Sequence, residues 1–460
     1  MDVVLRWSLM GIAVLGLAQA GSGGLAHGND LQDLYELAQT RDTTLQVAHF
    51  QRDAAIEVRP QALAALLPQV SAAASATRER AGYQTSDITS TQAADCAMSP
   101  DAGTQRCYGT ARALGLTLSQ TLWSFQEFNL LKEANAQAAA AEATFRGAEQ
   151  SLLLRVAQAY FGILSAADQL ATNGNEREAF GTLLTQATVR LQTGVGPRSD
   201  VAQAQAFYDA TEQSVIDARN ALDDANLALT EIVGPRPERI APLRDDIPLS
   251  SPEPASAEEW VAAARQENFD VRAAQLKVDA AARDISAQRG RGLPTLQLTS
   301  SASKTLQNDF LGGNQTLDTV GVSITWPLIQ GGAVASAVRQ SRALYHEAQS
   351  TLDAAQRDAE KQARAAFRNI VSGVQRIAAA RRAVDSGRDA VEASRRAVEF
   401  GTGTEFDLLN AQNNYFAAVR AYSQDRYDYL TSVLLLKQQA GRLTERDLMA
   451  IDALLVQAGS

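Results

Sequence analysis

Few side chains in this sequence are placed to do covalent chemistry. His27, His49 and His346 are its only histidines, and no motif joins them. His49 and His346 fall within helical patterns, where surface or interhelical packing is the ordinary use of the residue. No G-x-S-x-G, P-loop or H-E-x-x-H sequence occurs. Cys96 and Cys107 lie in a polar segment rich in Ser, Thr, Asp and Gly, with no histidine nearby. In an exported protein the simplest expectation for them is a local disulfide closing a loop, ahead of metal or redox chemistry. The acids offer electrostatics rather than catalysis. Asp200 follows a glycine-rich break and is placed as a first-turn acid, where the helix dipole favours a carboxylate; Asp407 stands at the matching position after a second such break. The expectation is a protein that is not an enzyme and needs no cofactor or metal.

The elements that position those acids occur twice. Residues 194–208 and 401–415 pair Asp200 with Asp407, Ala204-Gln205 with Ala411-Gln412, and Tyr208 with Tyr415. Asp53-Ala54-Ala55 with Leu67-Pro68 recurs as Asp279-Ala280-Ala281 with Leu293-Pro294. Gly115-Leu116-Thr117-Leu118 is echoed by Gly321-Val322-Ser323-Ile324. Three landmarks in one order make two copies of a unit.

Residues 7–17 form a short apolar run, and Ala18-Gln19-Ala20 is a small-x-small cleavage pattern. Residues 1–20 are therefore read as a signal peptide. No other apolar stretch approaches the ~20 residues of a spanning helix, leaving periplasm, secretion or an outer-membrane β-barrel. The formal net charge is −10, with acids and bases intermixed, so no nucleic-acid stripe is suggested. Only 13 Phe and 10 Tyr in 460 residues is thin for a large globular core but adequate for long, narrowly packed helices.

Prolines partition the map. None lies between Pro100 and Pro197 or after Pro327, whereas six cluster from Pro235 to Pro254. The expected organisation has a first repeat over 21–233, with strands at about 67–80 and 112–123, a long helix at 126–192 and a return helix at 199–232. A Pro-rich linker follows at 234–256. The second repeat, 257–441, has strands at 293–304 and 318–329, a long helix at 333–400 and a return helix at 405–440. A C-terminal equatorial segment covers 442–460. Each long helix would run roughly 100 Å at ~1.5 Å per residue. Gly194 and Gly401 would cap the turns with left-handed backbone. In the second long helix Ile370, Ile377, Val384, Val391 and Val398 recur every seven residues, with Gly373, Ala380, Gly387, Ser394 and Gly401 three places later. That is an a/d seam whose small d residues allow close approach. A soluble coiled coil would explain this segment alone equally well.

The four strand segments alternate in twos, as in Val320, Val322, Ile324 and Trp326 separated by Gly321, Ser323 and Thr325. One apolar and one small-polar face suit a strand between lipid and a watery lumen, and Trp123 and Trp326 would suit an interfacial belt. Four strands cannot enclose a channel, since about eight are needed merely to pack side chains inside. Open edges are not tolerated in lipid. Closure requires several chains, and three would supply twelve strands.

This order of elements resembles the TolC family of outer-membrane channel-tunnels over essentially the whole mature chain. Leu67-Pro68-Gln69, Gln120-Thr121-Leu122-Trp123, 327–332 and Asp407-Leu408-Leu409-Asn410-Ala411 are similar to its recurring landmarks. The resemblance implies a mainly α fold with a membrane β part: a homotrimer with a 12-stranded barrel and a long α-helical coiled-coil barrel. It implies passive export of small toxic compounds or unfolded polypeptides across the outer membrane of a Gram-negative bacterium. The implied partners are outer-membrane lipid, a periplasmic adaptor and an inner-membrane RND or ABC transporter, with no nucleic acid. It also implies a periplasmic entrance narrowed by acids one helical turn apart. Asp407 matches the first of them, and Asn410 stands where the second acid is usual, which lowers the charge of a ring that could bind cations. Glu405 is a candidate for restoring charge. An acid at the Asp200 position pairs in the family with an arginine whose place is held here by Gly403, leaving Arg198 as a candidate replacement. The alternative is a periplasmic coiled-coil adaptor or scaffold without a pore. A more remote one is an adhesin using the Cys96–Cys107 loop.

Overall fold

A computed structural model describes residues 31–84, 96–98, 104–236, 240–308 and 314–456. The expected signal peptide and His27 lie outside the described residues. The element order is α1 (Leu31–Arg41), α2 (Thr43–Ile56), α3 (Val58–Ala64), β1 (Gln69–Gln84), β2 (Cys96–Met98), β3 (Thr104–Ser124), α4 (Phe125–Gln192) and α5 (Arg198–Val233). It continues with α6 (Ala257–Glu267), α7 (Phe269–Gly290), β4 (Thr295–Asn308), β5 (Gln315–Thr325), α8 (Ala333–Glu399), α9 (Glu405–Gln439) and α10 (Glu445–Asp452). Helix α4 has 68 residues and α8 has 67, each on the order of 100 Å long.

The strands form one antiparallel sheet in the order β1-β3-β4-β5, with β2 paired to the far end of β3. The four expected strands make up this path; a short three-residue strand, β2, is added outside it, and β1 and β3 run farther than expected, to Gln84 and from Thr104. The outer edges of β1 and β5 have no partner strand among the described residues. Register puts Val70, Leu118, Leu116, Leu114, Leu298, Val322 and Ile324 on one face. On β5 that face is open, with Val320 at 78% and Ile324 at 72% exposure. A β-bulge at Thr121/Trp123 turns Trp123 onto the same face, opposite Leu296.

Strand and helix join without a loop at Ser124, whose hydroxyl is buried and accepts a hydrogen bond from the Glu127 N–H as the N-cap of α4. Helix α7, which leads into β4 at the same end of the sheet, packs along α4 and α8. Its first-repeat counterpart is broken into α2 and α3. Pro60 supplies the reason, because its ring conflicts with the carbonyl four residues back, at Ile56, where α2 ends. Helix α7 carries no proline and runs through.

The main core lies at mid-length rather than at either end. Tyr160, Phe161 and Leu152 of α4 meet Leu31 and Leu34 of α1, Leu229 of α5, Trp260 of α6, Ile370 of α8, Leu434 of α9 and Leu448 of α10. Each such aliphatic or aromatic side chain contributes about 1.5–3 kcal/mol when fully buried. Polar ties close this belt. Asp452 of α10 accepts from the backbone N–H groups of Leu31 and Gln32 at 2.9 and 3.0 Å, satisfying the start of α1. Tyr160 donates to the Ala241 carbonyl at 2.8 Å, and Leu243 bridges to Leu455. The proline cluster is thus a strap across the belt, between α5 and α6.

Below the belt α5 lies along α4, and α9 along α8. Ile370, Gly373, Ile377 and Val391 of the heptad seam are buried. A Cβ on Gly373 would stand 3.6 Å from Tyr429, and one on Gly387 would stand 3.2 Å from the Tyr415 backbone. These two glycines let α9 approach closely enough to seat its tyrosines, the use expected of small d residues.

One carboxyl beneath the sheet is tuned. Glu133 of α4 accepts from Gln137 at 2.8 Å, but its second oxygen is buried and unpartnered. Burial, reinforced by repulsion from Asp284, pushes its pKa up to about 7. A raised carboxyl pKa favours folding most at low pH. This contribution should therefore be complete below pH 4.5 and lost as pH rises through about 7. Glu133→Gln is expected to remove that pH dependence, so its melting temperature should exceed the wild-type value above pH 7 and converge with it in acid. Parallel thermal melts of the two proteins check this.

Candidate functional site at the coil tip

Both helix pairs turn at the same end of the molecule, and the two turns are built alike. Gly194 (φ 76°) and Gly401 (φ 70°) hold left-handed backbone after α4 and α8. The chain then folds back. Val195 and Gly196 N–H groups donate to the Arg190 carbonyl at 2.9 and 3.0 Å, and Thr402 and Gly403 to the Ala397 carbonyl at 2.8 and 3.0 Å. A Cβ at Gly403 would stand 2.8 Å from that of Ala397. Gly403 is therefore a requirement of this turn, and an arginine there would force the turn open.

At the repeat offset Pro197 corresponds to Thr404, Arg198 to Glu405 and Asp200 to Asp407. The environments diverge. Thr404 caps α9 through a capping box: its hydroxyl accepts from the Asp407 N–H at 3.1 Å, and the Asp407 carboxylate accepts from the Thr404 hydroxyl at 2.6 Å and backbone N–H at 3.3 Å. Those bonds hold the Asp407 carboxyl below the usual carboxylate range, the Thr404 hydroxyl contributing most. Asp407 is exposed and therefore charged. Asn410, one turn on, is half-buried and donates to the Phe406 carbonyl at 3.0 Å. Among the described residues, the Asp200 carboxylate accepts only from the adjacent Ser199 hydroxyl, at 3.2 Å.

Glu405 is buried, its side chain 6% exposed, and pairs with Arg190 in the last turn of α4. Arg198 makes no ion pair with any described residue, so the charge opposite the acid at this tip comes from Arg190. Sequence reasoning missed that pairing, because the partners are 215 residues apart. The contrast of Arg198 with Glu405 at matched positions of the two repeats was its only signal.

The pair ends a polar seam along which α4 meets α9. Ser165 bonds Gln424 at 2.9 Å, and Asp168 accepts from Ser423 at 2.5 Å and Tyr427 at 2.8 Å. Asn173 and Glu176 both accept from Arg420. Burial pushes the Glu176 carboxyl up, with Arg420 opposing that shift. Burial and the Asp168 charge push the Tyr427 phenol up. A small apolar cluster of Phe180, Leu183, Ala204, Val391, Leu408 and Leu409 backs the tip. The two coiled pairs are thus each joined internally by packing and to each other by directional polar bonds.

His49 lies 3.2 Å from Asp53 on an exposed face, and His346 bonds Gln349 at 3.0 Å. Among the described residues no His, Cys, Asp or Glu cluster suits a metal, and no helix is long and apolar enough to cross a membrane.

A mixed architecture of this kind, with an open-edged sheet above paired coils, defines a class of outer-membrane channel. The sequence matches the outer membrane efflux protein family over residues 34–235 and 260–442. It is 29% identical to outer membrane protein TolC of Escherichia coli K12, covering 95% of this chain and 87% of that protein. It is 30% identical to outer membrane protein TolC of Vibrio cholerae, covering 92% and 93%. It is also 30% identical to the alkaline protease secretion protein AprF of Pseudomonas aeruginosa, covering 92% and 86%. The fold matches the outer-membrane channel OprN with a TM-score of 0.75 at 20% identity, covering 89% of each chain. It matches VceC of V. cholerae with a TM-score of 0.74 at 21% identity, over 89% of this chain and 96% of that one. The chain belongs to the outer membrane efflux protein family. It resides in the outer membrane of a Gram-negative bacterium, reaches into the periplasm, and serves as an exit duct.

Proposed function

We propose that three copies of this chain close a twelve-stranded barrel, with their coils forming a periplasmic tunnel. One observation carries the reading: a sheet with an apolar outer face and, among the described residues, two unpartnered edges, joined to coils on the order of 100 Å long directly at Ser124 and through the short segment 326–332 before α8. The duct is passive. Energy comes from an inner-membrane RND or ABC transporter joined through a periplasmic adaptor, and the cargo is small toxic compounds or unfolded polypeptides. Similarity to proteins named for alkaline protease secretion in P. aeruginosa and proteases secretion in Dickeya chrysanthemi supports the secretion arm. A scaffold without a pore leaves the sheet unused and is set aside.

At the entrance Asp407 supplies a three-fold ring of negative charge, moderated by Asn410, with Asp200 beside it. Gly194, Gly401 and Gly403 shape the turns that carry the ring. In planar bilayers Asp407→Ala is expected to raise single-channel conductance and weaken cation selectivity. Thr404→Ala disturbs the same cap but keeps the charge, so it should leave selectivity in place. Unchanged selectivity in Asp407→Ala would remove Asp407 from the constriction.

Cys96 and Cys107 form a disulfide at the distal hairpin. Their direct opposition in the β2–β3 register supports this, since paired residues on adjacent strands lie within disulfide reach at about 4.5–5.5 Å between Cα atoms. Peptide mapping of unreduced protein should find the two linked, and free thiols in purified protein would contradict the bond.

A further inference from the structure

We propose that the outward face of the sheet carries a binding site for a phosphorylated glycolipid of the outer leaflet, with the chemistry of lipid A. The inference rests on the reading of this sheet as a barrel wall. The β1–β3 and β3–β4 registers set Arg78 opposite Thr110, Arg112 opposite Ala76, and Lys304 opposite Leu114. The three cations therefore share the face of Val70, Leu116 and Leu118; Arg78 and Arg112 are diagonal neighbours on β1 and β3, and Lys304 follows on β4 across a register shift at Arg112/Ala113 that places Arg112 itself opposite Gln307. Diagonal neighbours are about 7–8 Å apart, near enough for long side chains to converge on one phosphorylated headgroup. All three are exposed, and none forms an ion pair with a described residue. Asp318, diagonal to Lys304 and unpaired with it, is the one acid on this face among the described residues, so the line keeps a net positive charge.

Their height on the wall is specific. Trp123 marks the periplasmic rim, and Arg112 lies eleven positions up β3 (123 − 112). A membrane strand needs about 9–11 tilted residues to cross the hydrocarbon. Arg112 thus stands where the apolar band ends on the side away from the helices, at outer-leaflet headgroup depth. Directly below, Ala72, Ala74, Leu114, Leu116 and Ala302 line a shallow groove of about 420 Å³, with Lys304, Thr316 and Asp318 also in its wall. Small alanines facing leucines leave a trough for acyl chain; Lys304 lines it, and Arg112 and Arg78, farther along the same face, match the anionic group such a chain carries. The opposite face at these heights offers Ser71, Ser75, Thr117 and Ser301, without cations. The charge is confined to the lipid side, whereas a charge serving conduction would face the lumen. The site is complete within one protomer.

The test uses the full-length protein in detergent and measures retention of two probes by native mass spectrometry: bisphosphorylated lipid A, and the same lipid with both phosphates removed. Wild type should hold the first and not the second. The variant R78Q/R112Q/K304Q should bind the first about a hundredfold more weakly, since each cation near an anionic lipid surface is worth roughly a fivefold gain in affinity. Wild-type retention by the variant, equal binding of the dephosphorylated probe, or equal competition by phosphatidylglycerol would overturn the proposal. Quenching of tryptophan fluorescence by brominated lipid in reconstituted wild type and variant separates the two levels. Quenching with unaltered lipid A binding refutes the lipid site alone, whereas no quenching in either refutes the barrel wall itself.

Discussion

Arg190→Glu is expected to hold the duct open. Glu405 is buried at the junction of the first and second coiled pairs, and its Arg190 partner is the only described cation paired with it. Reversing that charge sets two acids against each other in a site with little water to screen them. Loss of the pair should cost about 2–3 kcal/mol of tip closure, below the full cost of breaking a buried pair because Arg190 is itself partly exposed. Carried into an open–closed equilibrium, that is roughly a 30–150-fold shift towards open. Single-channel recordings of Arg190→Glu should show long open dwells. Glu405→Arg alone should do the same, and the double exchange should return the channel to near wild-type closure. If the double exchange is as open as the single variants, the pair is not the latch. The rest of the α4–α9 seam would remain bonded through Asp168 and Glu176, so the opening belongs to the tip.

Arg155→Ala should act on folding rather than gating. Asp42 is 2% exposed and has two tasks: it caps α2 by accepting from Leu45 N–H at 2.6 Å, and it receives both Arg155 guanidinium nitrogens at 3.0 and 2.9 Å. Removing Arg155 strands a buried carboxylate, a change that typically costs about 3–5 kcal/mol. Asp42→Asn keeps an acceptor for the cap and removes the charge, so it should cost less than Asp42→Ala, by about 1 kcal/mol for the cap alone. Limited proteolysis should show α1 and α2 released first in Arg155→Ala, since both dock on α4 near this pair. A melting temperature unchanged from wild type would contradict this use of Asp42.

Much of this architecture is written in residues a reader can count. The spacing of Gly194 and Gly401, the proline-free intervals and the seven-residue recurrence from Ile370 to Val398 determine where the long helices run and turn. Those features are local, because backbone freedom, proline sterics and helical periodicity act within a few residues. What escaped was set by partners distant in sequence. The Arg190–Glu405 bond joins residues whose neighbourhoods carry no shared pattern. The β2 strand has three residues, too short for alternation to register. The break between α2 and α3 was legible in Pro60. The capping box was also legible, as Thr404-x-x-Asp407 is repeated by Thr444-x-x-Asp447 at the start of α10. Reading Asp407 only as a candidate lumen charge passed over its second task of starting the helix that presents it.

The account depends on neighbouring copies supplying the hydrogen bonds that the outer edges of β1 and β5 lack among the described residues. The mass of the particle extracted from outer membranes in mild detergent tests this most directly. It should correspond to three chains, dissociating only when the sheet unfolds. A single chain that stays folded and dispersed in plain buffer would contradict it.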